Sequence, residues 1–432
     1  MTLADGQLTP PEQDLREAMT TGEWMDLRKH DPQADDPSQG AQWGAERTIR
    51  AEVLAYLLTQ VTGPQQPRAL RLAGARVTGK LDLEAAELVC PVSLRDCWFA
   101  EPVTIGEATV ASLRLSGCHL PGLQAWQLRT QGNLGLNDGF TTRELILAGA
   151  RIGGQLDLTH ATLINPNRTA LNGDGMTVGH HLLCRGLAAE GMVDVRRARI
   201  GGQLDVSGAI LNNPSGSAFH GNRLVVDQDL ISSERFIAHG EVHLLGARIG
   251  GQLSLTSAIL NNPGRIALNG NRLTVGQSMH CRGDFNANGE VHLLNAHLGG
   301  EFSLTGTLNN PNGTALRADG LTAEQDMVCH GGLRIEGGVI LTGANISGHL
   351  GLVGATINNP NGIALDLRNA RIGTLLLHPT ARPNAINLIH AQLGVLYDDP
   401  ATWPNQLQLR GCTYDSRYER FPVSAGQRLD WL

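Results

Sequence analysis

A phrase of seven residues, Ala-Arg-Ile-Gly-Gly-Gln-Leu, recurs along the middle of this 432-residue chain. It begins at Ala150, Ala198 and Ala247, becomes Ala-His-Leu-Gly-Gly-Glu-Phe at Ala296, and leaves a weaker copy at Ala344. The steps between these copies are 48, 49, 49 and 48 residues. A fixed period of this size is typical of a solenoid, in which each repeat buries its apolar surface only against its neighbours.

Apolar and polar residues alternate within one repeat. Ala150, Ile152, Leu156 and Leu158 are apolar, and polar side chains lie between them. Period two predicts strands with one face turned inward, whereas helical repeats would place apolar residues three and four positions apart. Gly-Gly and Asn-Asn-Pro between short strands predict corners. We therefore predict an all-β fold, a right-handed parallel β-helix whose 48–49-residue repeat makes two coils.

Two helices are predicted ahead of the repeats, in a cap formed by residues 1–66. Thr9 and Glu12 have the spacing of a capping box, which predicts a helix through Met19. A stripe of apolar residues predicts a second helix from Ala45 to Thr62. Because the open end of a β-helix exposes an unpaired strand and its apolar interior, we interpret the cap as a lid on the first coil. A helix that binds a partner is the alternative.

The predicted solenoid occupies residues 67–397, and residues 398–432 are expected to form an irregular last coil followed by the start of a helix. That helix is predicted at Gln427–Leu432, where the sequence ends after a single turn. We therefore expect the chain to be a fragment of a longer protein.

Composition limits the compartment and the classes of partner. The N-terminus lacks the features of a signal peptide, and no apolar run approaches the ~20 residues of a membrane-spanning helix. Cys281 and Cys329 share a column two coils, or roughly 10 Å, apart, which is too far for a disulfide. We expect buried thiols in a cytoplasmic protein. The net charge of −7 argues against nucleic-acid binding, for which a basic stripe is expected.

An outward column of basic side chains is the candidate interaction site. Its members take the second position of the repeated phrase: Arg76, Arg151, Arg199, Arg248, His297 and Arg371. One hypothesis is that the column binds an extended acidic partner or an anionic polymer. The other is that each arginine pairs with nearby carboxylates on a solvated face, with little net energy. A protein partner is expected without being identified, and the oligomeric state stays open.

The remaining motifs predict no catalytic residue, no cofactor and no metal site. Gly173–Gly179 resembles a dinucleotide-binding glycine loop, but no helix is predicted after it, so we interpret its glycines as corners. His243 and His292 share a column two coils apart, too far to hold one zinc ion. Acidic side chains are scattered, whereas catalysis needs groups that converge on one spot.

Several segments resemble a family of bacterial, mostly actinobacterial, long-repeat β-helix proteins. These segments are Arg47–Leu54, Ser116–Gly122, Gly149–Leu158, Asn261–Pro263 and Gly289–Leu294. Members of that family are automatically labelled membrane-associated oxidoreductases, and similar proteins continue toward membrane-spanning helices. The resemblance implies the cytoplasmic head of a membrane-associated protein. More distantly, the repeats are similar to pentapeptide-repeat proteins and bactofilins.

Together these observations predict a non-catalytic β-solenoid scaffold or protein-interaction module. We expect it in the cytoplasm, at the inner face of the membrane in a longer form, with no membrane span in this chain. Three alternatives stay open: an oxidoreductase, as the family label states; a β-helix enzyme that acts on polysaccharide; and a polymer that assembles as bactofilins do.

Overall fold

The structure is a computed structural model that describes residues 8–60, 67–329, 331–399 and 402–417. The helix predicted at Gln427–Leu432 lies outside these residues. The chain divides into two compact units, of which the first ends at Phe219 and the second begins at His220. Strands within each unit pair in parallel, and the described residues make about 15 turns of a β-solenoid. The predicted parallel solenoid is confirmed.

Short helices precede the first coil. In the described residues these are the α-helices α1 (Pro10–Thr21) and α2 (Ala51–Thr59) and the 3-10 helices Pro37–Gln42 and Ala45–Arg47. The capping box of α1 is confirmed, because the Thr9 backbone N–H donates to Glu12 Oε2 at 2.9 Å. Neither α-helix approaches the ~20 residues needed to cross a bilayer, and no described helix could do so.

The second predicted helix was wrong at its start, because α2 begins at Ala51 and not at Ala45. Thr48–Arg50 is instead a strand that pairs with Arg76–Thr78. An unpaired strand at the edge of the first coil offers backbone donors and acceptors, and the β-branched Thr48 and Ile49 suit a strand better than a helix. With Met25–Asp26, which pairs with Leu72 and Ala73, the cap therefore adds two short strands to the solenoid.

Two parallel sheets, called A and B, line each coil of unit 1. Sheet A contains Met25–Asp26, Leu70–Ala73, Val92–Arg95, Thr109–Val110, Leu113–Ser116, Arg129–Thr130, Leu134–Gly135, Arg151–Ile152, Leu156–Asp157, Thr177–Val178, Leu182–Leu183, Arg199–Ile200 and Leu204–Asp205. Sheet B contains Thr48–Arg50, Arg76–Thr78, Trp98–Phe99, Val103–Thr104, His119–Leu120, Leu123–Gln124, Thr141–Thr142, Leu145–Ile146, Thr162–Asn172, Ala188–Asp194 and Ile210–His220, whose last residue belongs to unit 2.

Unit 2 is built in the same way. Its sheet A contains Val225–Val226, Leu230–Ile231, Arg248–Ile249, Leu253–Ser254, Thr274–Val275, Met279–Cys281, His297–Leu298, Phe302–Leu304, Thr322–Ala323, Met327–Cys329, Asn345–Gly351, Arg371–Leu377, Gln392–Asp398 and Thr413–Arg417. Its sheet B contains Ile237–His243, Ile259–Asn269, Asn286–His292, Thr307–Arg317, Arg334–Ile340, Thr356–Asn358, Leu365–Asp366, Ala385–Asn387 and Gln406–Gln408. The strands Gln406–Gln408 and Thr413–Arg417 lie in the segment 398–432, where the sequence analysis expected a last coil.

Strand pairing confirms that one repeat makes two coils. Arg151 pairs with Thr177, 26 residues later, and Thr177 pairs with Arg199 after another 22. Arg248, Thr274 and His297 repeat this alternation of a long and a short coil in unit 2. Inward side chains such as Ile152 and Leu156 are at most 2% exposed, so the coils stack on a dry apolar interior.

Three of the four Asn-Asn-Pro motifs do not turn corners as predicted, because they lie inside 11-residue strands of long coils. The fourth begins at Asn358, the last residue of a short strand, and is followed by a turn. In Ile259–Asn269 the side-chain amide of Asn262 donates to the Ile266 carbonyl oxygen at 2.7 Å. Asn310 makes the same bond to Thr314 at 2.8 Å. The side chain satisfies a carbonyl where the bulge interrupts the ladder. The extra residues of the long coil therefore bulge outward.

Glycine is required where neighbouring coils approach most closely. Gly289 lies beside the bulge with φ of 130°, and a Cβ there would lie 2.5 Å from the Asn262 carbonyl oxygen. At the Gly-Gly bend of sheet A, a Cβ on Gly153 would lie 2.2 Å from the Gln131 carbonyl oxygen. Both distances are shorter than any real Cβ contact, so these positions exclude other residues.

Candidate functional site: a column of arginines

Five of the six predicted column residues occupy one position of sheet A. In unit 1, Arg151 and Arg199 flank Thr177 in consecutive coils. In unit 2 the same position reads Arg248, Thr274, His297, Thr322, Asn345, Arg371 and Gln392 along successive coils. Basic side chains are therefore interspersed with uncharged polar ones at this position, and all five predicted residues are exposed.

Arg76 does not belong to this column, which corrects the sequence prediction. It lies in sheet B, where it pairs with Trp98 in the next coil. Its Nη1 donates to the Trp43 carbonyl oxygen at 2.9 Å, and its guanidinium carbon lies 5.8 Å from the centre of the Trp98 ring. Arg76 thus holds the cap segment against the solenoid. The phrase around it resembles the sheet A repeats because both sheets require the same alternation of inward and outward residues.

Arg129 is a column residue that the sequence analysis missed. It pairs directly with Arg151 in the following coil and is exposed. Its phrase, Leu-Arg-Thr-Gln-Gly, lacks the Ile-Gly-Gly that marks the later copies. The spacing of 22 residues to Arg151, the length of a short coil, is the signal that could have found it.

The unit 1 arginines of the column are not paired with carboxylates. Within the described residues, Arg129, Arg151 and Arg199 make no ion pair within 4.0 Å and no side-chain hydrogen bond. Arg248 is equally bare in the described part of unit 2. The hypothesis that each predicted column arginine pairs with a nearby carboxylate is therefore wrong for Arg151, Arg199 and Arg248.

The other two column residues do have partners. His297 lies 3.3 Å from Glu324 through its Nε2, and Arg371 donates from Nε to Gln392 Oε1 at 3.1 Å. The carboxylate hypothesis thus holds at His297 alone. Three of the four column arginines without a partner among the described residues therefore lie in unit 1.

Carboxylates in the same coils of unit 1 are held by other groups. Asp174 accepts from Arg197 Nε at 2.9 Å, and Asp205 accepts from Arg185 Nε at 2.5 Å. Burial raises the pKa of Asp205, but the hydrogen bonds from Ser207 and Arg185 lower it by a larger amount. The net pKa therefore lies below the usual value, and the carboxyl stays ionised. Asp157 accepts from the Asn137 amide at 2.9 Å. These acids do not neutralise the column.

A strip of glycines runs beside the column. Gly153, Gly179 and Gly201 follow the column residues in successive coils, and all three are exposed. Beyond the strip lie the polar side chains Gln155, His181 and Gln203. Because the glycines carry no side chain, the face is open between a row of guanidinium groups and a row of amide and imidazole groups. An extended chain can lie there against both rows.

Spacing along the column follows from the sheet. Parallel strands lie ~4.8 Å apart, so the Cα atoms of Arg129 and Arg151 are about 4.8 Å apart and those of Arg151 and Arg199 about 9.6 Å apart. Like charges directly opposite each other destabilise a sheet. An anionic ligand would relieve the repulsion between Arg129 and Arg151.

The other candidate motifs are the glycine run Gly173–Gly179 and the histidines His243 and His292. Gly175, with φ of 66°, lies in the turn between Thr162–Asn172 and Thr177–Val178, as predicted for a corner. His243 and His292 flank Asn269 and are two coils apart, as predicted. In the described part of the chain, no group of three or more His, Cys, Asp or Glu residues could hold a metal ion.

The cysteines are free thiols, and six of the seven are buried. Cys281 and Cys329 flank Leu304 in sheet A, which confirms their separation by two coils. Burial raises the pKa of Cys329 to about 12. Cys329 is therefore protonated, and the six buried cysteines pack as small apolar side chains.

Comparison with known proteins gives no further assignment. Neither a protein-family model, nor a curated protein, nor a solved structure matches the chain. The resemblance to the long-repeat family stays a prediction.

Proposed function

We propose that the chain is a non-catalytic β-solenoid interaction module, and that unit 1 binds an extended acidic protein segment along the arginine column. The observation that carries this proposal is the set of bare, exposed guanidinium groups of Arg129, Arg151 and Arg199 in register on sheet A. Unpaired like charges in neighbouring strands contribute nothing to stability. A ligand that supplies carboxylates would form charge-assisted hydrogen bonds with these arginines, which gives the arginines a function in binding.

The period of the column suggests the conformation of the ligand. A polyproline II helix has three residues per turn and rises about 3.1 Å per residue, so every third side chain recurs after about 9.3 Å on one face. This rise is close to the ~9.6 Å between Arg151 and Arg199. An acidic segment with Asp or Glu at every third position can thus pair with both arginines while its backbone lies over the glycine strip.

Binding of this kind is weak and sensitive to salt. Exposed ion pairs contribute about 0.2–1 kcal/mol each and are screened when the salt concentration rises. The net charge of the whole chain is −7, so the attraction is local to the column and the remaining surface repels an acidic ligand. The affinity should therefore fall steeply as ionic strength increases.

The cellular setting that we propose is the cytoplasm, at the inner face of the membrane in a longer form of the protein. The seven free cysteines support a reducing compartment. Fractionation of the native cells with an antibody to this chain tests the setting. Recovery of the chain from the cell exterior would contradict it.

The test of the binding proposal is fluorescence anisotropy with a labelled peptide of Glu-Pro-Pro repeats. We expect the wild-type chain to bind it at low salt, and a Gln-Pro-Pro peptide not to bind. The triple variant Arg129→Gln, Arg151→Gln and Arg199→Gln should lose the interaction.

A charge-matched triple variant supplies the control. Arg143→Gln, Arg168→Gln and Arg265→Gln remove three exposed arginines outside the column. This variant should bind as the wild type does. Equal loss in both triple variants would mean that net charge alone governs binding, and the proposal for the column would then fail.

A further inference from the structure

We propose that the first coils of unit 1 carry a binding site for a phosphate- or sulfate-type oxyanion. The site is a groove of about 300 Å³ on the outward face of sheet A. Its polar lining comprises Arg68, Arg71, Ser93, Ser112, Arg114 and Asn133. None of these residues belongs to the arginine column, so the site does not depend on the function proposed above.

Strand pairing places two arginines on either side of a serine. Arg71 pairs with Ser93, and Ser93 pairs with Arg114 in the next coil. Because neighbouring strands lie ~4.8 Å apart, the two arginine Cα atoms are about 9.6 Å apart, with Ser93 midway. An anion above the Ser93 hydroxyl can therefore accept hydrogen bonds from a guanidinium group on each side.

The cap and the next coil position these arginines. Arg71 Nη1 donates to the Gly22 carbonyl oxygen at 2.9 Å, and the Arg68 backbone N–H donates to the Met19 carbonyl oxygen at 2.9 Å. A Cβ on Gly135 would lie 3.3 Å from Arg114 Cγ, so the Arg114 side chain lies along a position that has no side chain of its own. The groove is thus shaped by backbone contacts and by a glycine.

The charges in the groove are not balanced by the protein. No carboxylate lines the groove, and Arg68 and Arg114 have no side-chain partner among the described residues. The hydroxyls of Ser93 and Ser112 are likewise without a partner in that part of the chain. Three guanidinium groups with two hydroxyls match an anion that has several oxygen atoms, because a guanidinium donates two parallel hydrogen bonds to phosphate or carboxylate.

The volume admits a free or an esterified oxyanion. Pockets for small molecules begin at about 300 Å³, which is larger than a bare phosphate requires. Free phosphate and a phosphate monoester both present phosphate oxygen atoms to the arginines and serines, so the experiment must distinguish the two ligands.

Calorimetric titration of the full chain with inorganic phosphate tests the site, and a parallel titration with O-phosphoserine tests the esterified form. Loss of one charged donor should weaken binding about tenfold, so Arg71→Gln and Arg114→Gln should each show that loss for both ligands. Tighter binding of O-phosphoserine assigns the site to esters, and equal or weaker binding assigns it to the free anion.

Arg143→Gln is the matched control, because it removes one exposed arginine outside both the groove and the column and should bind phosphate as the wild type does. Conversely, Arg114→Gln should still bind the Glu-Pro-Pro peptide, which separates failure of this site from failure of the column. Absence of phosphate binding to the wild type, or equal binding to Arg114→Gln, would overturn the proposal. A circular dichroism spectrum unchanged from the wild type shows that each variant is folded.

Discussion

Arginines of the cap and arginines of the column lie in the same unit but have opposite environments. Arg47, whose side chain is 2% exposed, donates to the Gly74 carbonyl oxygen at 2.7 Å and to Asp35 at 2.8 Å, and lies 3.6 Å from the Trp43 ring centre. Arg151 and Arg199 are exposed and bare. The comparison shows that arginines with structural roles have partners within the chain, so the bare ones are those available to a ligand.

The largest effect is expected at Arg47. Arg47→Met keeps the apolar stem but removes the charge, and it leaves the Gly74 carbonyl oxygen without a donor and Asp35 without its ion-pair partner. Breaking a buried pair costs about 3 kcal/mol, which should lower the urea midpoint and expose residues 31–47 to protease. Arg151→Met is the control and should change stability by less than about 0.5 kcal/mol. Equal stability of the two variants would contradict the conclusion that Arg47 has a structural role that Arg151 lacks.

The second effect is a pH dependence of the cap, where Glu12 pairs with Arg50. Burial raises the pKa of Glu12, but hydrogen bonds from the Arg50 side chain and from the N–H groups of Thr9 and Arg50 outweigh it and lower the pKa from 4.5 to about 2. A carboxyl whose pKa is depressed by folding stabilises the fold above its unfolded pKa. This contribution should therefore be lost as the pH falls from about 4.5 to about 2.

Thermal melts of the wild type and of Glu12→Gln across this range measure that contribution. The difference in melting temperature between them should shrink toward acid pH. A difference that is independent of pH would show that the Glu12–Arg50 pair does not titrate as described.

A smaller effect is expected at Arg76, which the sequence placed in the column and the structure places under the cap. Arg76→Gln removes the hydrogen bond to the Trp43 carbonyl oxygen and the contact with the Trp98 ring. The loss of one such bond corresponds to about 1 kcal/mol. Urea unfolding measures it, with Arg199→Gln as the control. If the two variants unfold at the same urea concentration, Arg76 has no structural role.

The smallest effect on stability is expected in the column itself. Arg129→Gln, Arg151→Gln and Arg199→Gln should each stay within about 0.5 kcal/mol of the wild type, as is usual for exposed sites. Arg129→Gln should be neutral or slightly stabilising, because it removes a like charge opposite Arg151. Melting temperatures at low salt measure these changes. A loss of more than about 1 kcal/mol at any of the three would reveal a structural role for the column.

Much of the solenoid was predictable because its forces are local and repeated. The alternation around Ile152 and Leu156 predicted strands, and the step of 48–49 residues predicted two coils per repeat. Every coil packs against its neighbours in the same way, so one short sequence motif predicts the structure of the whole array. The separation of Cys281 and Cys329 by two coils followed from the same period.

The errors came from positions where the period is not informative. Thr48–Arg50 has the apolar spacing of a helix, yet it pairs with the open edge of the first coil. Asn262 and its counterparts resemble turn residues, yet they lie in bulges, which are closed by a side-chain bond to a carbonyl four residues later. In each case a contact with a neighbouring coil or with a nearby carbonyl outweighed the local preference.

The sequence by itself determined the strands, the length of the coils and the outward direction of Arg151 and Arg199, because alternation and period depend only on residue order. Tertiary structure alone decided which arginines share a sheet and which have partners. It placed Arg76 in sheet B against the cap, added Arg129 to the column, and brought Arg71 and Arg114 together across Ser93. The physical reason is that strand pairing joins residues about 20 to 26 positions apart, and only the register of that pairing fixes which charges meet.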